Sequence, residues 1–138
     1  MKLLTLLLAA LLLPLTSCST STPEGAAFSQ SVAQTASYFA ATEVISKAKT
    51  PADWQDKKDT ISALIVVLQG INGSVTDPVE IRALVARFFA GKPAHWLALS
   101  QLIVSWVNLH GTEEGRSATL KAIISGLLSA RDGTVSPQ

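Results

Sequence analysis

The residues that could do chemistry in this chain are few: two histidines, ten carboxylates and one cysteine. His95 and His110 fall at opposite ends of one helical pattern, about 22 Å apart along its axis, so they cannot share a metal ion. His110, Glu113 and Glu114 lie close together in sequence, but two glutamates in a first helical turn are explained by the helix dipole. No nucleophile paired with a base and no phosphate-binding glycine loop is evident in the sequence. We therefore expect no metal site, no cofactor and no enzymatic activity.

Cys18 is the remaining reactive side chain, and it ends an amino-terminal segment with a distinctive layout. Lys2 follows the initiator methionine, residues 3–13 are apolar except for Thr5, and small or apolar residues lead to the cysteine. This order is typical of a secretory signal peptide, whose apolar part is shorter than the roughly 20 residues that span a bilayer. We predict a signal peptide over residues 1–17 that is removed.

The end of this segment, Leu15-Thr16-Ser17-Cys18, resembles the lipobox of bacterial lipoproteins. The resemblance implies that signal peptidase recognises Leu15, Thr16 and Ser17, that a diacylglycerol thioether forms on Cys18, and that the new amino terminus receives a fatty acid such as palmitate. Two or three acyl chains would anchor the protein stably, where one chain would not. Ser19, in place of aspartate, implies by the same resemblance the periplasmic face of the outer membrane if the source is Gram-negative.

Two alternatives to a lipid anchor follow from the same residues. The first is a secreted protein without lipid, in which a lone cysteine would lack both a disulfide partner and a role. The second is an uncleaved membrane helix, which the length of the apolar segment disfavours. Lipidation gives Cys18 a function, so we expect a bacterial cell-envelope protein that contacts the membrane through lipid.

Composition indicates one neutral domain. Removal of 17 of the 138 residues leaves 121, enough for a single core. The whole chain has 11 basic and 10 acidic residues, and loss of Lys2 makes these numbers equal. Such a balance does not indicate a nucleic-acid partner. We expect a lipidated cysteine and short tether over 18–22, one helical domain over 23–133 and a flexible tail over 134–138.

The same signal for a helix start recurs along the mature chain. It predicts an all-α fold, a compact bundle of four to five helices. Thr22-Pro23, Thr50-Pro51 and Asp77-Pro78 each join a capping side chain to a first-turn proline. The predicted helices span about 23–47, 51–69, 78–90, 93–110 and 113–131, with glycines 70, 91, 111 and 133 after the last four. In the first, weakly amphipathic helix we expect an apolar face formed by Phe28, Val32, Ala36 and Phe39, with Tyr38 and Ile45 outside it. The fourth helix has no charged residue from Pro93 to Thr112, so we expect it to be the most buried. Only a narrow stripe at Gln101, Ser105 and Asn108 should face solvent.

Three tryptophans stand out in a small domain. Trp54, Trp96 and Trp106 all fall on helix faces that we expect to point towards the core, where aromatic residues usually serve packing. The stripe that holds Trp54 is diluted by Lys57 and Lys58, so Trp54 is the candidate for a partner surface. We expect the Lys57 stem to lie along apolar surface with its ammonium reaching water.

Three functional hypotheses remain open from the sequence. The first is a lipid-anchored protein-binding or accessory module that engages another envelope protein. The second is a carrier of a lipid or another apolar ligand, in a cavity among the second, fourth and fifth helices. The third is a phage- or prophage-derived lipoprotein acting in exclusion or lysis, which gene neighbours would test.

Overall fold

A computed structural model describes residues 23–109 and 112–138 of the chain. Within these residues the architecture is all-α, as predicted: α1 (Pro23–Ser46), α2 (Pro51–Ser74), α3 (Pro78–Phe89), a 3-10 turn (Ala94–Trp96), α4 (Leu97–Leu109) and α5 (Glu113–Gly133). The helices pack as one compact bundle around a continuous apolar core. No helix in the described part of the chain is both long enough and apolar enough to cross a membrane.

The predicted caps are confirmed at Thr50 and Asp77, and Thr112 caps α5 in the same way, while Thr22 lies outside the described residues. Asp53 donates its backbone N–H to the Thr50 hydroxyl at 3.1 Å, and Gly115 donates to the Thr112 hydroxyl at the same distance. The Asp77 carboxylate accepts from the backbone N–H of Val79 at 2.9 Å. Each cap satisfies an N–H that the helix itself leaves without a partner, which fixes where the helix begins.

One helix extends past the glycine that was predicted to stop it, and another ends on its glycine instead of before it. α2 continues through Gly70 to Ser74, because Ile71 in the added turn is buried in the core. Burying that side chain gains about 1.5–3 kcal/mol, more than the roughly 1 kcal/mol that a helical glycine costs. α5 likewise includes Gly133. Gly91, in contrast, follows α3 with a positive φ of 76°, the backbone conformation that stops a helix.

α5 makes the most extensive helix contacts and is central in that sense, while α4, as predicted, has the largest share of buried residues: five among residues 97–108, against seven among the 21 of α5. α5 packs most extensively against α1 and also packs along α2. Gly126 lies directly against the backbone of α1 at Gln34 and Tyr38, whereas the start of α5 faces the earlier residues Gln30 and Ser31. Because the contacts advance together along both helices, α1 and α5 run in the same direction.

α2 runs opposite to α5, so the ends of the bundle can be assigned. Arg116, near the start of α5, donates to the Thr76 carbonyl just after α2, at 3.0 Å. Arg131, near the end of α5, donates to the Ser62 hydroxyl in the middle of α2, at 3.2 Å. The start of α2 therefore lies at the end of the bundle where α1 and α5 finish.

The predicted apolar face of α1 is half right: Val32 and Ala36 pack partly buried against the core, but both phenylalanines are misplaced. Phe28 and Phe39 are 49% and 62% exposed, whereas Ile45, placed outside the face, is fully buried. α1 buries small residues because its backbone approaches α5 too closely for large side chains. The residues of this buried face are Ser29, Ala33, Ser37, Ala41, Val44 and Ile45. The Ser37 hydroxyl donates to the Ala33 carbonyl at 2.6 Å, which satisfies its only donor inside the interface.

The predicted core of the other helices is largely confirmed. Trp96 and Trp106 are 4% and 1% exposed, while Trp54 is only half-buried. The polar stripe of α4 at Gln101, Ser105 and Asn108 is exposed, as expected. Large side chains with no more than 1% exposure come from four helices: Ile61, Leu64, Leu68, Ile81, Val85, Leu99, Ile103, Leu120, Ile123 and Leu127.

Candidate functional site

The proposed anchor residues lie outside the described part of the chain. Leu15, Thr16, Ser17 and Cys18 precede residue 23, where the described structure begins. Lipidation of Cys18 and its recognition by signal peptidase therefore stay predictions from sequence. The candidate partner residue, Trp54, is described fully.

Trp54 sits in the first turn of α2, at the end of the bundle where α1 and α5 finish. Its indole packs partly against the core, and the remaining surface faces outward. The Lys58 ammonium, one helical turn on, lies 4.1 Å from the centroid of the ring, in cation–π geometry. The Trp54 indole N–H is buried without a hydrogen-bond partner among the described residues. The Lys58 ammonium thus holds the Trp54 ring in place, and part of the ring stays accessible.

Beside Trp54, Asp53 and Lys57 form an ion pair one turn apart on α2. The Lys57 ammonium donates to one carboxylate oxygen of Asp53, and the backbone N–H of Lys49 donates to the other at 3.3 Å. The hydrogen bond from Lys57 holds the pKa of Asp53 below its usual value. The Lys57 side chain is only 11% exposed. Its ammonium pairs with this carboxylate, whereas the sequence pattern predicts that it reaches freely into water.

His95 joins this group from the 3-10 turn that precedes α4. Burial lowers the pKa of its imidazole, and the charges of Lys57 and Lys47 lower it further, while Asp53 opposes them. Its Nε2 atom is enclosed, with no hydrogen-bond partner among the described side chains. Trp96 lies next to it, with ring centroids 5.8 Å apart. His95 is therefore held neutral near pH 7 by its surroundings.

We call this end of the bundle the Trp54 surface, defined by Trp54, Lys58, Lys57, Asp53 and His95. Asp132, in the last turn of α5, is close enough for Lys58 to help lower the pKa of its carboxyl, after the stronger effect of its hydrogen bond from Arg131. The surface thus combines a partly exposed indole with charges of both signs. Only the Nε2 atom of His95 is enclosed, and the residue as a whole is partly exposed.

Sequence reasoning missed His95 as a member of this surface. It considered the histidine only as a metal ligand with His110, which lies outside the described residues. Pro93, two residues before it, signals only that a helical element starts here. The turn that holds His95 comes to lie near α2 through tertiary packing, which no local sequence pattern encodes.

A second feature is a broad, open groove of about 960 Å³ between α1 and the start of α5. Its walls are mostly polar, from Gln30, Gln34, Glu113, Glu114 and Lys121. A smaller cleft of about 140 Å³ lies where α2 ends, near Arg116. Neither is the apolar cavity that the carrier hypothesis places among α2, α4 and α5.

Metal-ligating side chains are scattered through the described residues. Across 23–109 and 112–138, no three His, Cys, Asp or Glu side chains come together in a way that could hold an ion. Comparison with family models, characterised proteins and solved structures finds no significant match to this chain. The proposals below therefore depend on the residues and geometry of this chain alone.

Proposed function

We propose that this protein is a lipid-anchored lipoprotein of the bacterial cell envelope, with a helical bundle that acts as a protein-binding or accessory module. The lipobox-like sequence ending at Cys18 supports the anchor, and the Trp54 surface supports the binding role. The proposed location is the periplasmic face of the outer membrane. The proposed partner is another envelope protein, and the proposed mode of action involves no catalysis.

The partly exposed indole of Trp54 is the observation that carries the binding role. Tryptophan is enriched at the centres of protein interfaces, where one large rigid ring buries much apolar area at little entropic cost. Trp96 and Trp106 are buried in the core, so they are not available for this purpose. A partner that covers Trp54 could share the cation–π contact with Lys58 and shield it from water.

The two parts of the proposal use opposite ends of the bundle. α1 has 24 residues, so its start lies about 36 Å from its end, where the Trp54 surface begins. The proposed tether joins α1 at its start. A partner can therefore reach Trp54 without competing with the lipid anchor for space.

The anchor is tested by metabolic labelling with a radioactive or clickable fatty acid in wild type and in Cys18→Ser. We expect the label only in wild type, together with wild type in the membrane fraction. Label retained by Cys18→Ser, or wild type found wholly in the soluble fraction, would overturn the anchor.

The binding role is tested by cross-linking in cells and purification of the tagged, full-length protein. Wild type should bring down one envelope protein in near-stoichiometric amount, and Trp54→Ala should lose it. Val66→Ala is the matched control, because Val66 lies on the same helix and is 66% exposed. Equal recovery with both variants would contradict a role for Trp54, and recovery of extractable lipid in place of protein would favour the carrier.

A further inference from the structure

The outward face of α1 carries aromatic side chains without charges. Phe28, Tyr38 and Phe39 are 49%, 36% and 62% exposed, and they are the exposed aromatic side chains of the described chain that the bundle leaves uncovered by neighbouring helices. Ser31 and Thr35 are exposed between them. We call this set the α1 face. Exposed apolar side chains grouped in this way mark interaction sites on folded proteins.

The α1 face forms one stripe along the helix. Phe28 and Phe39 are eleven residues apart, which is about three turns, so they project in nearly the same direction about 16 Å apart. Thr35 lies on the same line between them. A flat surface laid along the outer side of α1 would therefore touch both phenylalanines at once.

The chemistry of the α1 face favours a lipid surface. From Gly25 to Thr42 the sequence has no Asp, Glu, Lys or Arg, so α1 itself contributes no charge that has to leave water when this face is covered. The charged groups near its edge, Glu113, Glu114 and Lys121, belong to α5 and line the open groove beside Ser31. The Thr35 hydroxyl already donates to the Ser31 carbonyl at 2.9 Å, which lowers the cost of moving it out of water. Aromatic rings are favoured at the membrane interface, where apolar helix faces enter the headgroup region by about 5–10 Å.

We propose that the α1 face lies on the bilayer that holds the lipid of Cys18. This inference depends on the proposed lipid anchor. Only residues 19–22 separate Cys18 from α1, and at about 3.5 Å per residue they reach no more than roughly 14 Å. The start of α1 is thereby held near the headgroups, and the bilayer is the partner that this face meets at the highest local concentration.

The contact orients the whole bundle. With both phenylalanines in the interface, α1 lies along the membrane, and the Trp54 surface is displaced sideways from the anchor by about the 36 Å length of the helix. Trp54 then stands beside the membrane at the level of the bundle. A partner for Trp54 would be met close to the bilayer, such as the exposed part of a membrane protein.

The test places a fluorophore on the α1 face of the full-length, lipidated protein. Thr35→Cys and, as control, Gln69→Cys on α2 are labelled with an environment-sensitive maleimide dye; both native residues are exposed. The proteins are reconstituted in phosphatidylethanolamine–phosphatidylglycerol vesicles, with and without a nitroxide on the lipid headgroup. We expect a blue-shifted emission and several-fold stronger nitroxide quenching at position 35 than at position 69.

A second variant keeps the anchor but removes the rings. Phe28→Gln and Phe39→Gln together, both at exposed positions, should return the label at position 35 to the quenching level of position 69. The protein should still pellet with the vesicles, because its lipid is unchanged. Quenching that is unaffected by this double substitution would show that the α1 face does not make the contact.

The remaining outcomes separate failure of this proposal from failure of the anchor. The parent protein, with Cys18 as its only cysteine, should take no maleimide if that thiol is lipidated. A parent that reacts would overturn the anchor and the membrane contact together. With an unreactive parent, equal quenching at positions 35 and 69 would overturn the membrane contact alone. A blue shift at position 35 without nitroxide quenching would show that protein, such as a second copy of the chain, covers the face.

Discussion

Two tryptophans in this chain have opposite environments. Trp106 on α4 is 1% exposed among core side chains, whereas Trp54 on α2 keeps part of its ring outside. Replacing a buried tryptophan by alanine costs about 3–5 kcal/mol, a large part of the roughly 5–15 kcal/mol that stabilises a small domain.

Trp106→Ala should therefore melt far below wild type, and Trp54→Ala should lose less. Thermal unfolding followed by circular dichroism measures both. A Trp106→Ala protein that melts at the wild-type temperature while Trp54→Ala collapses would mean that the two environments are reversed.

His95 predicts a particular dependence of stability on pH. Its pKa in the folded protein is held below the usual 6.5, because burial and the nearby ammonium groups of Lys57 and Lys47 disfavour the charged imidazole. As the pH falls through about 6.5, the unfolded chain takes up this proton first, so the free energy of unfolding should fall. Above that pH the contribution is constant.

In His95→Gln, the free energy of unfolding should depend less on pH between pH 7 and 5 than it does in wild type. Urea unfolding at each pH measures this difference. His110 is present in both proteins, so the difference between them isolates His95. Asp53 acts in a separate range, because its lowered pKa removes stability only below about 3.8. An equal fall of the free energy of unfolding with pH in both proteins would contradict this role of His95.

Residue types alone anticipated part of this picture. The sequence distinguished Trp54 from the other tryptophans through the lysines on its stripe, and the structure leaves Trp54 the least buried of the three. The sequence could not place His95 beside Lys57, because the two are brought together from separate elements. It also misplaced Phe28 and Phe39, since a face of small residues gives a weak hydrophobic pattern even when it is the buried one.

Between elements, the close contact of α1 with α5 depends on Gly126. A Cβ atom at this position would overlap the Gln34 carbonyl oxygen and lie 3.0 Å from both the Ser37 Cβ and the Tyr38 backbone nitrogen. Most of these atoms belong to the backbone, so the helices would have to move apart. Gly126→Ala should therefore destabilise the protein, although alanine is the better helix former.

Gly70→Ala is the matched control for Gly126→Ala. Gly70 also lies within a helix, but a Cβ there would meet nothing within 4 Å. This substitution should stabilise the protein by about 0.5–1 kcal/mol, through helix propensity alone. Chemical denaturation of both variants gives the comparison, and shifts of the same sign would be inconsistent with tight packing at Gly126.

Helix starts were more predictable than helix ends. Thr50, Asp77 and Thr112 are local signals, because a capping side chain bonds to backbone within three residues of itself. A glycine, in contrast, stops a helix only when its backbone leaves the helical conformation. Gly91 does so and Gly70 does not, and the burial of Ile71 that decides the second case is a property of the core.

For the whole molecule, the all-α class followed from repeated caps and from apolar residues at helical spacing. The central position of α5 could not be predicted in this way, because it depends on how closely the backbones of α1 and α5 approach each other. A chain that begins at Ser21 should therefore be helical without any metal or disulfide, since apolar packing alone fills the core. Far-ultraviolet circular dichroism should be unchanged by EDTA, and a loss of helical signal with the chelator would contradict this.

The parallel pairing of α1 with α5 joins the first and the last helix of the described residues. About ninety residues separate the partners in sequence, so α1 has no main partner until the end of the chain has been synthesised. Long-range contacts of this kind slow folding, because a long loop must close before they form. We therefore expect α1 of a nascent chain to stay without its main partner until α5 appears, and a chain that has not closed its fold can still be threaded through a narrow pore.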